Sequence, residues 1–207
     1  MFSSLNVKDL VGIAVFSTLM ILVQLVSGAV TTVSYFVNMV MSNGFSCFVN
    51  AHIFLLMAAR VGRKGPFMAC MILQSLVFVL LGYWFVAVYL VAVGLIGEAL
   101  FMRGPGAGQS LGRLTALWTF YSFLVIGVSL LPIHFTWAAY VRAAEAGGFS
   151  AEHNAAYFGY YTNPVWVAVI AAFTTLCGFL GALSGRRLLR RHFLRSGLIG
   201  EMRGLRP

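Results

Sequence analysis

Apolar residues gather into six stretches along the chain, at residues 10–29, 45–59, 66–81, 84–102, 114–135 and 164–183. A helix rises about 1.5 Å per residue, so roughly 20 apolar residues cross a hydrocarbon layer about 30 Å thick. The shorter stretches reach that length through flanking residues or local thinning of the bilayer. The pattern predicts an all-α, polytopic membrane protein: a six-transmembrane-helix bundle in a single integral membrane domain over residues 1–207. Only Gly82 and its neighbours separate the third and fourth stretches, which predicts a tight hairpin with Tyr83 and Trp84 at interfacial depth.

The polar positions divide into two kinds of connection. Residues 30–44 mix β-branched, aromatic and amide side chains without helical periodicity. They are too apolar for a solvated loop and are expected to fold back over the bundle as a lid. Residues 141–163 are the most polar connection, carrying Arg142, Glu145, Glu152 and His153. The first three stretches show no repeat in the last three, which argues against a transporter built from inverted repeats.

Charge then orients the bundle. Thirteen of the fourteen Lys and Arg residues fall in every second gap: Lys8; Arg60, Arg63 and Lys64; Arg103 and Arg113; and seven Arg from Arg186 to Arg206. Short basic loops stay in the cytoplasm, so both termini are expected inside a cell (plasma) membrane, with a basic cytoplasmic tail over residues 185–207. The composition is 60% hydrophobic and 9% charged. Mean hydropathy is +0.91, and soluble domains carry about a quarter charged residues. The net charge of +9 is segregated by topology, so it points to anionic lipid headgroups of the bilayer and not to nucleic acid. Cys47, Cys70 and Cys177 lie in apolar stretches at unrelated spacings and predict neither a metal site nor disulfides. The first stretch is too long for a signal-peptide core and is expected to remain in the mature protein.

Candidate chemistry lies mostly in the outer half. Gln24, Asn43, Asn50, His134, His153 and Asn163 would face one outer cavity, with Tyr35, Trp84, Tyr89 and Tyr160 at the same level. Amides and an imidazole in an aromatic wall suit a flat organic ligand such as a heterocycle, a pterin or a tetrapyrrole. A tetrapyrrole iron would favour His134 or His153 as its axial ligand. The competing role for each aromatic residue is the interfacial belt. Small residues at four-residue spacing, Ala14 with Thr18 and Gly181 with Gly185, mark faces where helices approach closely, either within the bundle or against another subunit. Glu98, close to Arg103 and within reach of Arg113, is expected to form a structural ion pair or to take a local helix-end partner, in preference to coupling protons. The four histidines form no metal-binding spacing, and residues 103–112 lack the Lys of a phosphate loop. Neither a catalytic residue nor a metal or cofactor is predicted, and ATP-driven work would fall to another chain.

The sequence from Gly181 through Arg186, Arg187, Arg190, Arg191, His192 and Phe193 to Gly197 resembles the close of the MptD-like (Trep_Strep) membrane proteins, with weaker similarity at Val7–Leu10 and Gly94–Glu98. The resemblance covers residues 6–199. It departs in using Arg for the commoner Lys at the basic pairs and Ser184 for Gly. That family is associated with the substrate-binding S-components of energy-coupling factor (ECF) transporters. The resemblance implies six helices, an outward pocket capped by the first outer loop, and import of a micronutrient through a transmembrane T-component and two cytoplasmic ATPases. In S-components an Ala-x-x-x-Ala face of the first helix meets the T-component; here Ala14 matches and Thr18 replaces the second Ala. The alternative reading is an autonomous small secondary transporter or channel, alone or as an oligomer.

Overall fold

The computed structural model describes residues 5–104 and 106–193. Among them every regular element is helical: α1 (Val7–Thr31), a π-helical turn (Val37–Met41) running into α2 (Ser42–Val61), α3 (Pro66–Leu80), α4 (Trp84–Phe101), a short 3-10 turn (Ala107–Gln109), α5 (Leu111–Leu124), α6 (Ile126–Phe135), α7 (Trp137–Ala146), α8 (Ala151–Thr162) and α9 (Pro164–Leu188), which passes into a second π-helical turn (Leu189–Phe193). The basic tail from residue 194 onward lies outside the described residues.

Among the described residues five helical spans are long and apolar enough to cross a membrane: Val7–Thr31, Val37–Val61, Trp84–Phe101, Leu111–Phe135 and Pro164–Arg191. The remaining apolar stretch forms α3, whose 15 residues give a helix of roughly 22 Å. The chain is therefore an all-α polytopic membrane protein with five candidate spans. Its outward faces agree, since Val11, Val15, Leu25 and Val26 of α1 are all at least 59% exposed. Such a face is costly in water and unremarkable in lipid, where backbone groups are satisfied inside each helix.

Local chemistry sets the helix ends. Asn6 N–H donates to the Asp9 carboxylate at 3.0 Å and starts α1. Gly62, at φ +60°, closes α2, and Gly65, at φ +109°, precedes Pro66 in the first position of α3. These left-handed conformations make the α2–α3 turn tight. Glu98 of α4 then accepts the backbone N–H groups of Gly65 at 3.1 Å and Met68 at 3.4 Å. Its carboxylate thus sits at the positive N-terminus of α3, the helix-end partnership expected for it. Asp9 pairs with Arg63 at 3.5 Å, and Arg113 donates to the Arg103 carbonyl. These contacts gather the basic connections at one end of the bundle; α7 and α8 lie at the other, here called the cap end.

Two sequence expectations change. Residues 30–44 are not irregular: only residues 32–34 lie outside helix, and the chain is helical again from Tyr35. The π-helical turn inserts an extra residue, which breaks the 3.6-residue period that the sequence reading sought. Residues 141–163 are not a loop but most of α7 and all of α8. The fifth apolar stretch is interrupted at Val125, between α5 and α6, and carries Pro132 within α6.

The core is centred on α2, α3, α4 and α5. Trp118 stacks on Phe54 with ring centroids 4.9 Å apart, Phe67 meets Tyr121 edge-on at 5.9 Å, and Trp118, Phe54 and Phe67 are all fully buried. Helices α2 and α9 run side by side in the same direction. A Cβ on Gly181 would strike the Phe48 carbonyl oxygen and lie 2.8 Å from its Cα, and one on Gly185 would lie 3.1 Å from Leu55 Cδ1. Small residues here permit the backbone approach that packing in lipid requires.

Candidate ligand-binding site

The π-helical turn shapes the mouth of the site. Widening the helix by one residue brings Asn38, Met39, Ser42 and Asn43 to one side, where they line a cleft of about 470 Å³ between α1, α6 and the cap. The turn is latched from both sides. Asn38 Nδ2 donates to the Gly28 carbonyl at 3.2 Å and to Thr31 Oγ1 at 3.1 Å, tying the turn to the end of α1. Tyr161 of α8 donates its hydroxyl to the Met39 carbonyl at 2.9 Å.

The cap is held by aromatic rings. Tyr140 of α7 stacks on Tyr157 of α8 at 4.7 Å and on Trp137 at 5.4 Å, and it meets Tyr83 from the α3–α4 hairpin at 6.4 Å. Tyr157 donates to the Ser129 carbonyl of α6 at 2.7 Å. Ser150 caps α8 by accepting His153 N–H at 3.2 Å. His153 packs on Phe149 at 4.4 Å and faces Tyr35 edge-on at 6.0 Å, which closes the rim from the α1–α2 side.

Gln24, Ser42 and Asn43 also line a second cavity, so these three residues stand between the cleft and a deeper chamber. This deeper chamber has a volume of about 110 Å³ and descends between α1, α2, α3 and α5 to Asn50, Gln74, Trp118 and Tyr121. Its polar groups are amides and hydroxyls. Asn50 Nδ2 donates to the Met20 carbonyl at 3.2 Å, and Trp118 Nε1 donates to the Cys47 carbonyl at 3.0 Å. Tyr121 donates to Gln74 Oε1 at 3.3 Å, while Gln74 Nε2 reaches Cys70 Sγ at 3.7 Å. Towards the basic end the fully buried Phe54, Leu55, Phe67, Leu114 and Leu117 fill the bundle.

Electrostatically the space is quiet. Among the described residues no Asp, Glu, Lys or Arg lines either cavity. Burial pushes the His153 imidazole below its ordinary value, which keeps it neutral at physiological pH. Burial likewise pushes the phenols of Tyr140, Tyr157 and Tyr161 up, so they remain hydrogen-bond donors. Among the described residues no cluster of three His, Cys, Asp or Glu side chains is placed to hold a metal ion.

Of the residues expected from sequence, the structure brings Gln24, Asn43, Asn50 and His153 to this space, with Tyr35 at its rim. The others lie elsewhere. Trp84 is 65% exposed at the head of α4. Tyr89 donates to the Leu124 carbonyl at 2.6 Å, where the helix breaks. His134 is exposed at the end of α6. Tyr160 packs on Trp166 at 5.1 Å, and Asn163 caps α9 by accepting Val165 N–H at 2.9 Å. Gly181 and Gly185 are buried against α2, whereas Ala14 and Thr18 are exposed on α1, with Thr18 Oγ1 donating to the Ala14 carbonyl at 2.9 Å.

Sequence reasoning missed Asn38, Gln74, Trp118, Tyr121 and Tyr140. Gln74 carried a readable signal, as the single amide in the apolar run of α3.

The profile of the Trep_Strep family, described as hypothetical bacterial integral membrane proteins, matches residues 7–195. The chain belongs to the Trep_Strep family. The match covers every candidate span and both cap helices, so cleft and chamber lie wholly within the family's homologous region. No curated protein and no solved structure matches the chain.

Proposed function

We propose that this Trep_Strep protein is the ligand-capturing S-component of an ECF-type importer. The carrying observation is the shape of the cavity. An open cleft at the cap end shares Gln24, Ser42 and Asn43 with an amide and aromatic chamber deeper in the bundle, and a fully buried apolar floor lies beyond that chamber. A one-ended chamber binds a small molecule but gives it no polar route onward, unlike a channel, whose lining must continue. Delivery then requires the whole subunit to reorient or a partner to open it.

In this reading the cap end faces outside and the basic end faces the cytoplasm, following the Lys and Arg asymmetry. The α3–α4 hairpin completes six spans, α3 being the short one that local bilayer thinning accommodates. The ligand is an aromatic micronutrient. A T-component and two cytoplasmic ATPases supply the energy, and the T-component meets the exposed Ala14 and Thr18 face of α1.

Reconstitution tests the assignment directly. Purified chain in proteoliposomes should retain a ligand without accumulating it in the lumen, and accumulation should begin only when a T-component, two ATPases and ATP are added. Accumulation by the chain alone would favour the autonomous transporter and sink this proposal.

A further inference from the structure

The basic end of the bundle, away from the cleft, holds a separate cavity. It is a groove of about 330 Å³ between α3 and α4, with Lys64 of the α2–α3 turn and Arg103 just past α4 in its lining. Apolar walls come from Met68, Leu95, Ala99 and Met102, of which Leu95 and Ala99 are exposed on α4. The groove is therefore open to the surroundings of a membrane span, which are hydrocarbon, and its cations stand at the helix ends, where lipid headgroups lie.

Charge within the groove is unbalanced. Glu98 also lines it, but Glu98 Oε1 already accepts the backbone N–H groups of Gly65 and Met68. The amides that open α3 thus answer that carboxylate. Lys64 is half-buried and close enough to act on Glu98 electrostatically. Among the described residues, however, no ion pair or hydrogen bond engages the side chain of Lys64 or Arg103. Two cations against one carboxylate leave one positive charge in excess. Basic pockets beside apolar helix surfaces are places where anionic headgroups bind.

The length of α3 adds an independent reason. Its 15 residues make roughly 22 Å of helix against about 30 Å of hydrocarbon. Headgroups must come inward to meet such a helix. Lys64 and Gly65 stand at its first turn, so a headgroup held there supplies the thinning that α3 requires.

We infer that the groove holds one anionic glycerophospholipid, its phosphodiester between Lys64 and Arg103 and an acyl chain laid over Met68, Leu95 and Ala99. A phosphodiester of single negative charge neutralises the groove. A choline headgroup brings the same phosphate with a quaternary ammonium and leaves the excess positive charge in place. Free phosphate meets the cations but leaves the apolar walls unused. The site lies at the opposite end from the cleft and does not depend on what the cleft holds.

The experiment is native mass spectrometry of the full chain, purified in detergent and titrated with dioleoylphosphatidylglycerol or dioleoylphosphatidylcholine. The glycerol lipid should bind as one saturable adduct, at least about fivefold more tightly than the choline lipid. Lys64→Gln and Arg103→Gln should each weaken it roughly fivefold, the worth of one basic side chain against an anionic headgroup, and together roughly thirtyfold. Arg60→Gln with Arg187→Gln removes the same charge from exposed positions of the same end, outside the groove. That pair should change binding less than about twofold. Ala99→Trp keeps every charge and fills the apolar wall, so it should weaken the lipid roughly tenfold. Because Ala99 is exposed, this variant keeps the inference falsifiable if the Lys64 and Arg103 double variant does not fold. Equal loss in the two double variants would mean a diffuse field in place of a site and would overturn the inference. So would equal binding of the two lipids, or an Ala99→Trp variant that binds as the wild type does. Millimolar inorganic phosphate should fail to displace the lipid; displacement would assign the groove to free phosphate and overturn the lipid.

Discussion

The hydroxyl of Tyr161 donates to the carbonyl oxygen of Met39 at 2.9 Å, joining the second cap helix to the π-helical turn across 122 residues of sequence. A π-helical turn shifts its carbonyls off the regular helical ladder, and this side chain supplies a donor there. The same turn carries the residues that open into the cleft, so the bond links the state of the cap to the shape of the mouth. Tyr161→Phe keeps the ring contact with Tyr157 at 4.7 Å and removes only the hydroxyl. It should cost about 1 kcal/mol, the net worth of one buried hydrogen bond. The loss should appear as faster proteolysis in the linker between α7 and α8 and faster ligand release. Unchanged rates for both would show that the cap is held by its rings alone.

Close packing of α2 on α9 predicts a sharp contrast between glycines. Gly181→Ala drives a methyl group into the backbone of Phe48, which cannot move as a side-chain tip can. Overpacking of this kind typically costs about 1–3 kcal/mol. Gly12→Ala on α1 meets nothing within 4 Å and should be neutral or stabilising by up to about 1 kcal/mol through helix propensity. Unfolding midpoints in a mild detergent check both. A tolerated Gly181→Ala would mean that α9 sits further from α2 than the structure has it.

His153 sets an acid limit on the cap. Burial lowers its folded-state value beneath the ordinary 6.5, so below pH 6.5 the unfolded chain takes up a proton that the folded chain resists. Stability is full above pH 6.5, declines as pH falls through the lowered folded value, and then levels. His153→Gln removes the titration. The melting midpoint of the wild type relative to this variant should therefore be constant from about pH 8 to 7 and fall once the pH drops below 6.5. A constant difference across the whole range would place the imidazole in ordinary solvent.

Particular residues show why some of this was legible in sequence and some was not. The spans could be read because lipid imposes one strong rule, an apolar run of sufficient length. The cap helices carry local signals of their own, Ser150 as N-cap with Glu152 in the first turn of α8 and Gly147 closing α7. Their polarity and position outside the spans made them resemble a loop. Helix from Tyr35 onward was hidden by the extra residue of the π-helical turn. Gln24, Asn43 and Asn50 could be anticipated because an amide in an apolar stretch requires a partner. Tyr89 and Asn163 show the limit of that argument, since each found its partner in its own fold, at the Leu124 carbonyl and the Val165 N–H. Whether a polar side chain faces a ligand or a neighbouring backbone depends on rotation about the helix axis, which weak amphipathicity in lipid-facing helices leaves open.

The exposed face of α1 predicts where a partner subunit would engage. Ala14 and Thr18 lie one turn apart and are exposed, and the Thr18 hydroxyl is already satisfied by the Ala14 carbonyl, so the face presents small, self-contained groups to its surroundings. Another helix can approach closely there without leaving a polar atom unmet, which is what association within lipid selects. Gly181 and Gly185 offer no equivalent, since α2 already fills their space. Ala14→Trp should therefore leave the fold and ligand affinity intact, because its side chain projects away from the bundle. It should weaken co-purification with a T-component by roughly tenfold or more, equivalent to at least about 1.4 kcal/mol. Ile72→Trp, on the 41% exposed face of α3, adds the same bulk elsewhere and should leave co-purification unchanged. Equal recovery of the T-component with both variants would exclude this face of α1 as the contact. Loss with both would mean that added bulk disturbs the subunit generally.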